Sequence, residues 1–227
     1  MILSVHVAKA AGNSFRELLK ASFGDRMMGD YGDWAGFDTP EANERRALRT
    51  AAMRGRAAEL AEKYDVIHGH FQADKYAGLF PSAKYVAFFR DPYQQSVAHY
   101  YFLLRNPQRD HPEERFFHEA KMTLQDYLRW DAFKNHQSQY LGSISIGDFA
   151  MVGLAEHFAR SIARFKSIFG RELGQERFAN VNPERSSAGY PIDGEIRKAV
   201  EKYRAADIEL YRRAQEIFAK QSVLEPA

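Results

Sequence analysis

The stretch Val5-His6-Val7-Ala8-Lys9-Ala10-Ala11-Gly12-Asn13-Ser14-Phe15-Arg16-Glu17-Leu18-Leu19 constrains the fold more than any other part of the chain. Ile2, Val5 and Val7 form a short apolar, partly β-branched run, and Phe15, Leu18 and Leu19 then fall at helical spacing. The chain must therefore pass from strand through a loop into a helix. Ala10, Ala11 and Gly12 allow the backbone to come close to a ligand, and Asn13 and Ser14 are suited to cap the helix. A helix N-terminus presents N–H groups and a positive dipole end, and Lys9 adds a full charge. Two readings stand: a site for a phosphate- or sulfate-like anion, or a plain strand-to-helix turn with a solvated lysine. The nucleoside-triphosphate loop G-x-x-x-x-G-K-[ST] is absent, because Lys9 precedes Gly12 and Ser14.

Two further segments repeat the strand pattern. Asp65 to Phe71 and Lys84 to Arg90 are apolar runs bounded by turn-forming residues, and Ala150 to Leu154 is a candidate fourth strand. Helical stretches alternate with them: Glu41 to Tyr64, Tyr93 to Arg105, Thr123 to Phe133 opened by a capping box, His157 to Phe169 closed by Gly170, and Asp193 to Lys220. Strand, helix, strand is the order of a parallel sheet covered by helices, so the chain is expected to be α/β. At 227 residues, with no Pro/Gly/Ser-rich linker, residues 1–227 are expected to form a single domain. Gly24 to Pro40 and Asn180 to Pro191 read as ordered loops, and Asn135 to Leu141 as a polar connector. The arginines at 45, 46, 49, 54 and 56 read either as a solvated helix face or as an anion-binding one.

In open parallel sheets ligands bind beyond the carboxyl ends of the strands, and Lys9, His70 and Arg90 all fall there. His68 and His70 are two apart on one strand and leave the same face of the sheet. An imidazole can accept a hydroxyl proton near neutral pH, so the pair suits general-base chemistry; the competing reading is a satisfied buried histidine. A metal site would need a third ligand, and none stands at recognisable spacing. Arg90 either holds a phosphate bidentately or pairs with Asp91 or another loop. The absence of cysteine excludes disulfides and thiolate catalysis, and a net charge of +2 lies far from a nucleic-acid-binding footprint. No apolar run approaches the ~18 residues of a membrane helix, and no signal peptide is visible. The expected location is cytoplasmic.

Taken together, the opening loop, His68-Gly69-His70, and Phe89-Arg90-Asp91-Pro92 running on through Tyr100-Tyr101-Phe102-Leu103 resemble the sulfotransferases that include the heparan sulfate and uronyl 2-O-sulfotransferases. In that family the loop reads close to His-Ile-Pro-Lys-Thr-Gly-Gly-Thr-Ser. Val152 to Glu156, the loop around Asn182, and Asp207 to Tyr211 extend the resemblance over most of the chain. It implies a P-loop-kinase-like sulfotransferase fold and the sulfuryl donor 3′-phosphoadenosine 5′-phosphosulfate (PAPS), without a metal. By the same resemblance Lys9, with Ala11, Gly12, Asn13, Ser14 and Phe15, would hold the 5′-phosphosulfate. Arg90 would hold the 3′-phosphate, and Arg185 and Ser186 would belong to a loop closing over the nucleotide. His70 would be the catalytic base, with His68 as its neighbour, and the acceptor a hydroxyl on a sugar or polysaccharide. The sequence departs from the family at Ala98, where a serine is usual and Ser96 is the nearest substitute, and at Ala8 and Ala10, which replace Pro and Thr. These departures motivate an alternative expectation, a non-catalytic nucleotide-binding or interaction protein of the same fold.

Overall fold

The structure is a computed structural model that describes residues 1–107, 111–173 and 189–222. Five parallel strands form the sheet, in the order β2-β3-β1-β4-β5: β1 (Ile2–Val5), β2 (Met27–Tyr31), β3 (Val66–His70), β4 (Lys84–Phe89) and β5 (Met151–Leu154). Its helices are α1 (Gly12–Phe23), α2 (Pro40–Arg54), α3 (Ala57–Lys63), α4 (Pro92–Arg105), α5 (Pro112–Glu119), α6 (Leu124–Arg129), α7 (His136–Gln139), α8 (Phe158–Phe169), α9 (Gly194–Tyr203) and α10 (Ala205–Ser222). Leu3, Val5, Val66, Ile67, Val86, Ala87, Phe89, Met151 and Val152 are buried in the sheet, as near-continuous apolar runs in a covered parallel sheet must be. A second apolar cluster joins Phe37, Val97, Leu103, Phe117, Tyr127, Leu128 and Phe133 to Ile196 and Val200 of α9.

The parallel α/β architecture is as the sequence indicates, with differences that have physical causes. Gly24 to Pro40 is not all loop, because it contains β2. Met-Met-Gly-Asp-Tyr has poor strand propensity, and pairing with β3 from Met27↔Val66 to Tyr31↔His70 overrides it. The expected helix over Glu41 to Tyr64 is two helices, parted at Gly55 and Arg56. The expected last helix also divides, at the fully buried Arg204. Asn135 to Leu141 holds the single turn α7, and α5 lies in a stretch for which the sequence showed no helix. The capping box at Thr123 and Asp126 forms, and Gly170 closes α8 in the left-handed conformation. Most of the Asn180 to Pro191 loop, with Arg185 and Ser186, lies outside the described residues.

The β2 edge is held from below by ion pairs. Lys75 Nζ sits 2.6 Å from Asp30 Oδ2 and 2.7 Å from Asp33 Oδ2, with all three side chains almost fully buried. Arg49 pairs with both carboxylates, and Tyr76 donates to Asp30 Oδ2 at 2.9 Å. Arg46 donates to the carbonyls of Trp34 and Phe37, and Arg45 lies over the Trp34 ring. These arginines tie the 32–37 loop to α2. Gly69 is required where β3 meets β2: a Cβ there would stand 1.8 Å from the Asp30 carbonyl oxygen.

Candidate active site

Strand alternation puts two cross-strand rows on the sheet face that α1 covers. Ser4, His68 and Gly29 stand in register in one row. One step nearer the carboxyl ends, His6, His70 and Tyr31 form the other. The His6 ring stacks on His70 with centroids 4.1 Å apart and on His68 at 5.0 Å, both at 30°. Gly12, the first residue of α1, presses on this stack. A Cβ at that position would lie 1.9 Å from His6 Cδ2, so only glycine lets the helix start directly over the imidazoles.

Burial gives the three histidines different states. His68 is fully buried, Ser4 Oγ is 2.8 Å from its Nδ1, and desolvation lowers its pKa to about 3. It is a neutral core group beside Ser4, the arrangement of a satisfied buried histidine. His6 is also held well below the ordinary imidazole range, first by desolvation and then by its histidine neighbours; Tyr31 Oη lies 3.3 Å from its Nδ1. His70 stands at the open end of the row. Its Nδ1 is 2.6 Å from the His6 carbonyl, which can only accept, so Nδ1 carries the proton and Nε2 is the basic nitrogen. Tyr140 Oη lies 3.4 Å from the same Nδ1.

The loop between β1 and α1 has its carbonyls held by side chains from elsewhere. The His6 carbonyl accepts from His70, Ala8 from Gln95 Nε2 at 3.0 Å, and Lys9 from Arg90 Nη1 at 3.2 Å. Gln95 Nε2 is also 3.2 Å from His136 Nδ1, and Gln137 clasps the backbone of Arg90 with two hydrogen bonds of 3.0 and 2.9 Å. Asp207 of α10 in turn accepts from the Gln137 and Ser138 N–H groups at the start of α7. Lys9 and Ala11 are left-handed, at φ of 61° and 68°, a conformation costing roughly 1 kcal/mol or more for a residue with a Cβ. The side-chain grip on the carbonyls supports that geometry. The first-turn amides of α1 have no acceptor within the helix and receive no side-chain cap.

The sequence-derived residues therefore fall unequally. Lys9, Ala11, Gly12, Asn13, Ser14, His70 and Arg90 meet at the carboxyl edge between β3, β1 and β4, where the connections leave β1 and β4 in opposite directions. The Lys9 ammonium is 4.3 Å from the Phe102 ring centre on α4. Asn13 and Ser14 are not the N-cap: that position is Ala11, with no side-chain cap, and the two polar residues lie in the first turn. Phe15 does not join the site, because its amide donates to the Ala11 carbonyl and its buried ring packs on Phe88, His68 and Phe165. Ser96 and Ala98 are both buried on α4. Asp91 caps α4 by accepting from Gln94 N–H, and the Arg90 charge acts on its carboxylate as well. Sequence reading missed His6, Tyr31, Gln95 and Gln137. His6 and Tyr31 could have been found by strand alternation once β2 was recognised.

Fold and site define a parallel α/β protein with a lysine-bearing strand-to-helix loop and a histidine at its topological switch point. The crystal structure of a sulfotransferase from Alicyclobacillus acidocaldarius resembles the chain with a TM-score of 0.48 at 16% identity, over 91% of this chain and 92% of that one. No protein-family model and no curated protein matches the sequence. Among the described residues no helix is long and apolar enough to cross a membrane, and no three His, Asp or Glu side chains are placed to hold a metal ion.

Proposed function

We propose that this protein is a PAPS-dependent O-sulfotransferase that transfers a sulfuryl group to a hydroxyl of a sugar or polysaccharide. The observation that carries the reading is the shared backbone of base and loop: the His6 carbonyl fixes the His70 tautomer, and three residues later the Lys9 carbonyl is held by Arg90. The resemblance of the three motifs to 2-O-sulfotransferases supports it. A loop with its carbonyls held inward, a lysine and a helix start fits a phosphosulfate, which offers only acceptor oxygens.

Sulfuryl transfer proceeds in line, like phosphoryl transfer, with charge gathering on the departing phosphate oxygen. In this reading Lys9 and the first-turn amides of α1 meet that charge, and Arg90 holds the 3′-phosphate and braces the loop. His70 Nε2 takes the acceptor proton as the new O–S bond forms and the old S–O bond breaks, its electron pair leaving with the phosphate. His6, held neutral against the His70 ring, adds no competing charge when His70 becomes imidazolium. His70→Ala is expected to abolish transfer while leaving nucleotide binding within a few-fold of wild type. Unchanged turnover in that variant would remove His70 from the mechanism. The second reading, nucleotide binding without catalysis, is favoured by the buried methyl groups of Ala10 and Ala98 at positions where the family has hydroxyls. Binding of 3′-phosphoadenosine 5′-phosphate without turnover on any hydroxylated acceptor would select it.

A further inference from the structure

Tyr31 is one of few large apolar side chains left exposed among the described residues, at 40%, and its strand register places it directly beside His70. Exposed tyrosines are ordinarily free to change rotamer; this ring is fixed. Its edge meets His70 with centroids 5.2 Å apart at 82° and His6 at 5.8 Å and 85°, and its hydroxyl reaches His6 Nδ1. Arg16 of α1 also hydrogen-bonds to it, and the ring lies back over Gly29, which has no side chain to lift it. The strand beneath is pinned by the buried Asp30, Asp33, Lys75 and Arg49 cluster. A rigid aromatic ring, partly open to solvent and next to the basic histidine, has the properties of a stacking surface, since little conformational entropy is lost when a ligand covers it.

We propose that Tyr31 is the acceptor-binding platform: a hydroxyl-bearing six-membered ring lies on its open face, which sets that hydroxyl against His70 and favours cyclic over open-chain acceptors. This rests on the transferase reading for its reaction, but not for its binding. The shared chemistry is a flat or chair-like ring with a hydroxyl, met equally by a pyranose or a phenol.

The test uses the full chain with Tyr31→Phe and Tyr31→Leu, the second keeping apolar bulk without a π face. Transfer from PAPS is measured to a methyl pyranoside, to a simple phenol and to glycerol, alongside saturation-transfer NMR of the same acceptors without donor. Tyr31→Leu is expected to raise KM about tenfold for whichever ring is the acceptor class, leave kcat and the glycerol KM unchanged, and erase the NMR contact to that ring; Tyr31→Phe, which keeps the π face and loses only the hydroxyl's contacts with His6 and Arg16, raises KM far less and keeps the NMR contact. Equal loss on ring and open-chain acceptors, a fall in kcat alone, or a Tyr31→Phe variant as impaired as Tyr31→Leu would overturn the proposal and assign Tyr31 to support of the histidine row. Ring binding that depends on Tyr31, with no transfer to any acceptor, would sink the transferase reading and keep the platform. Transfer with an unaltered ring KM in Tyr31→Leu would do the reverse.

Discussion

Lowering the pH from 7.5 to 5.5 should remove about 5 kcal/mol of folding stability, and the buried histidines account for it. His6, His68, His111 and His136 are all buried, and desolvation is the leading cause that holds each below the ordinary value, the last three to about 3. Unfolded, each titrates near pH ~6.5. Between the folded and unfolded values the unfolded chain binds more protons, so stability is complete above about pH 7 and falls as the pH drops through 6.5. One pH unit below the unfolded value each such histidine costs about 1 kcal/mol or a little more, and four of them consume a large share of the ~5–15 kcal/mol typical of a folded domain. Asp207, whose buried carboxyl is pushed up by desolvation, acts in the opposite sense as the pH falls. Urea unfolding followed by circular dichroism at pH 7.5, 6.5 and 5.5 measures the loss. His68→Asn keeps a polar partner for Ser4 Oγ and removes one titrating group, so the loss should shrink by about a quarter. A stability that changes by less than about 1 kcal/mol over this range, or a pH dependence untouched by His68→Asn, would refute the neutral-histidine account.

Other substitutions probe the frame around the site. Gly12→Ala drives a methyl into the His6 ring and should cost about 1–3 kcal/mol while displacing His6 from His70, read by urea unfolding and by the imidazole NMR signals; unchanged signals would mean that the helix start tolerates a side chain there. Lys75→Met leaves Asp30 and Asp33 buried with Arg49 as their remaining cation and should destabilise by about 3–5 kcal/mol in urea unfolding. A loss below 1 kcal/mol would show that the pair energy barely exceeds its desolvation cost.

The strands β1, β3, β4 and β5 were legible because a covered parallel strand needs an uninterrupted apolar run, and turn residues mark its ends. For β2 that signal fails: Gly29 and Asp30 are poor strand residues, chosen for the space they leave or the ion pairs they make rather than for backbone preference. Lys9, His70 and Arg90 could be placed at strand ends from chain order alone. What holds them could not, since Gln95, Gln137 and Asp207 act over 47 to 87 residues of sequence, and their local context is ordinary helix. The basic stretch after Glu41 shows the same limit in reverse, because Arg45, Arg46 and Arg49 look like a solvated face in sequence and prove to be struts of the 32–37 loop.

The central claim is that the Lys9 loop and Arg90 hold a 3′-phosphorylated nucleotide, and thermal unfolding with 3′-phosphoadenosine 5′-phosphate tests it most directly. At about 100 times the dissociation constant the ligand should add about 2.7 kcal/mol, a rise in Tm of roughly 5–10 °C for a chain of this size. The account predicts that the rise disappears with adenosine 5′-phosphate, which lacks the 3′ group, and in both Lys9→Ala and Arg90→Ala. No shift at millimolar ligand, or an equal shift with both nucleotides, would contradict it.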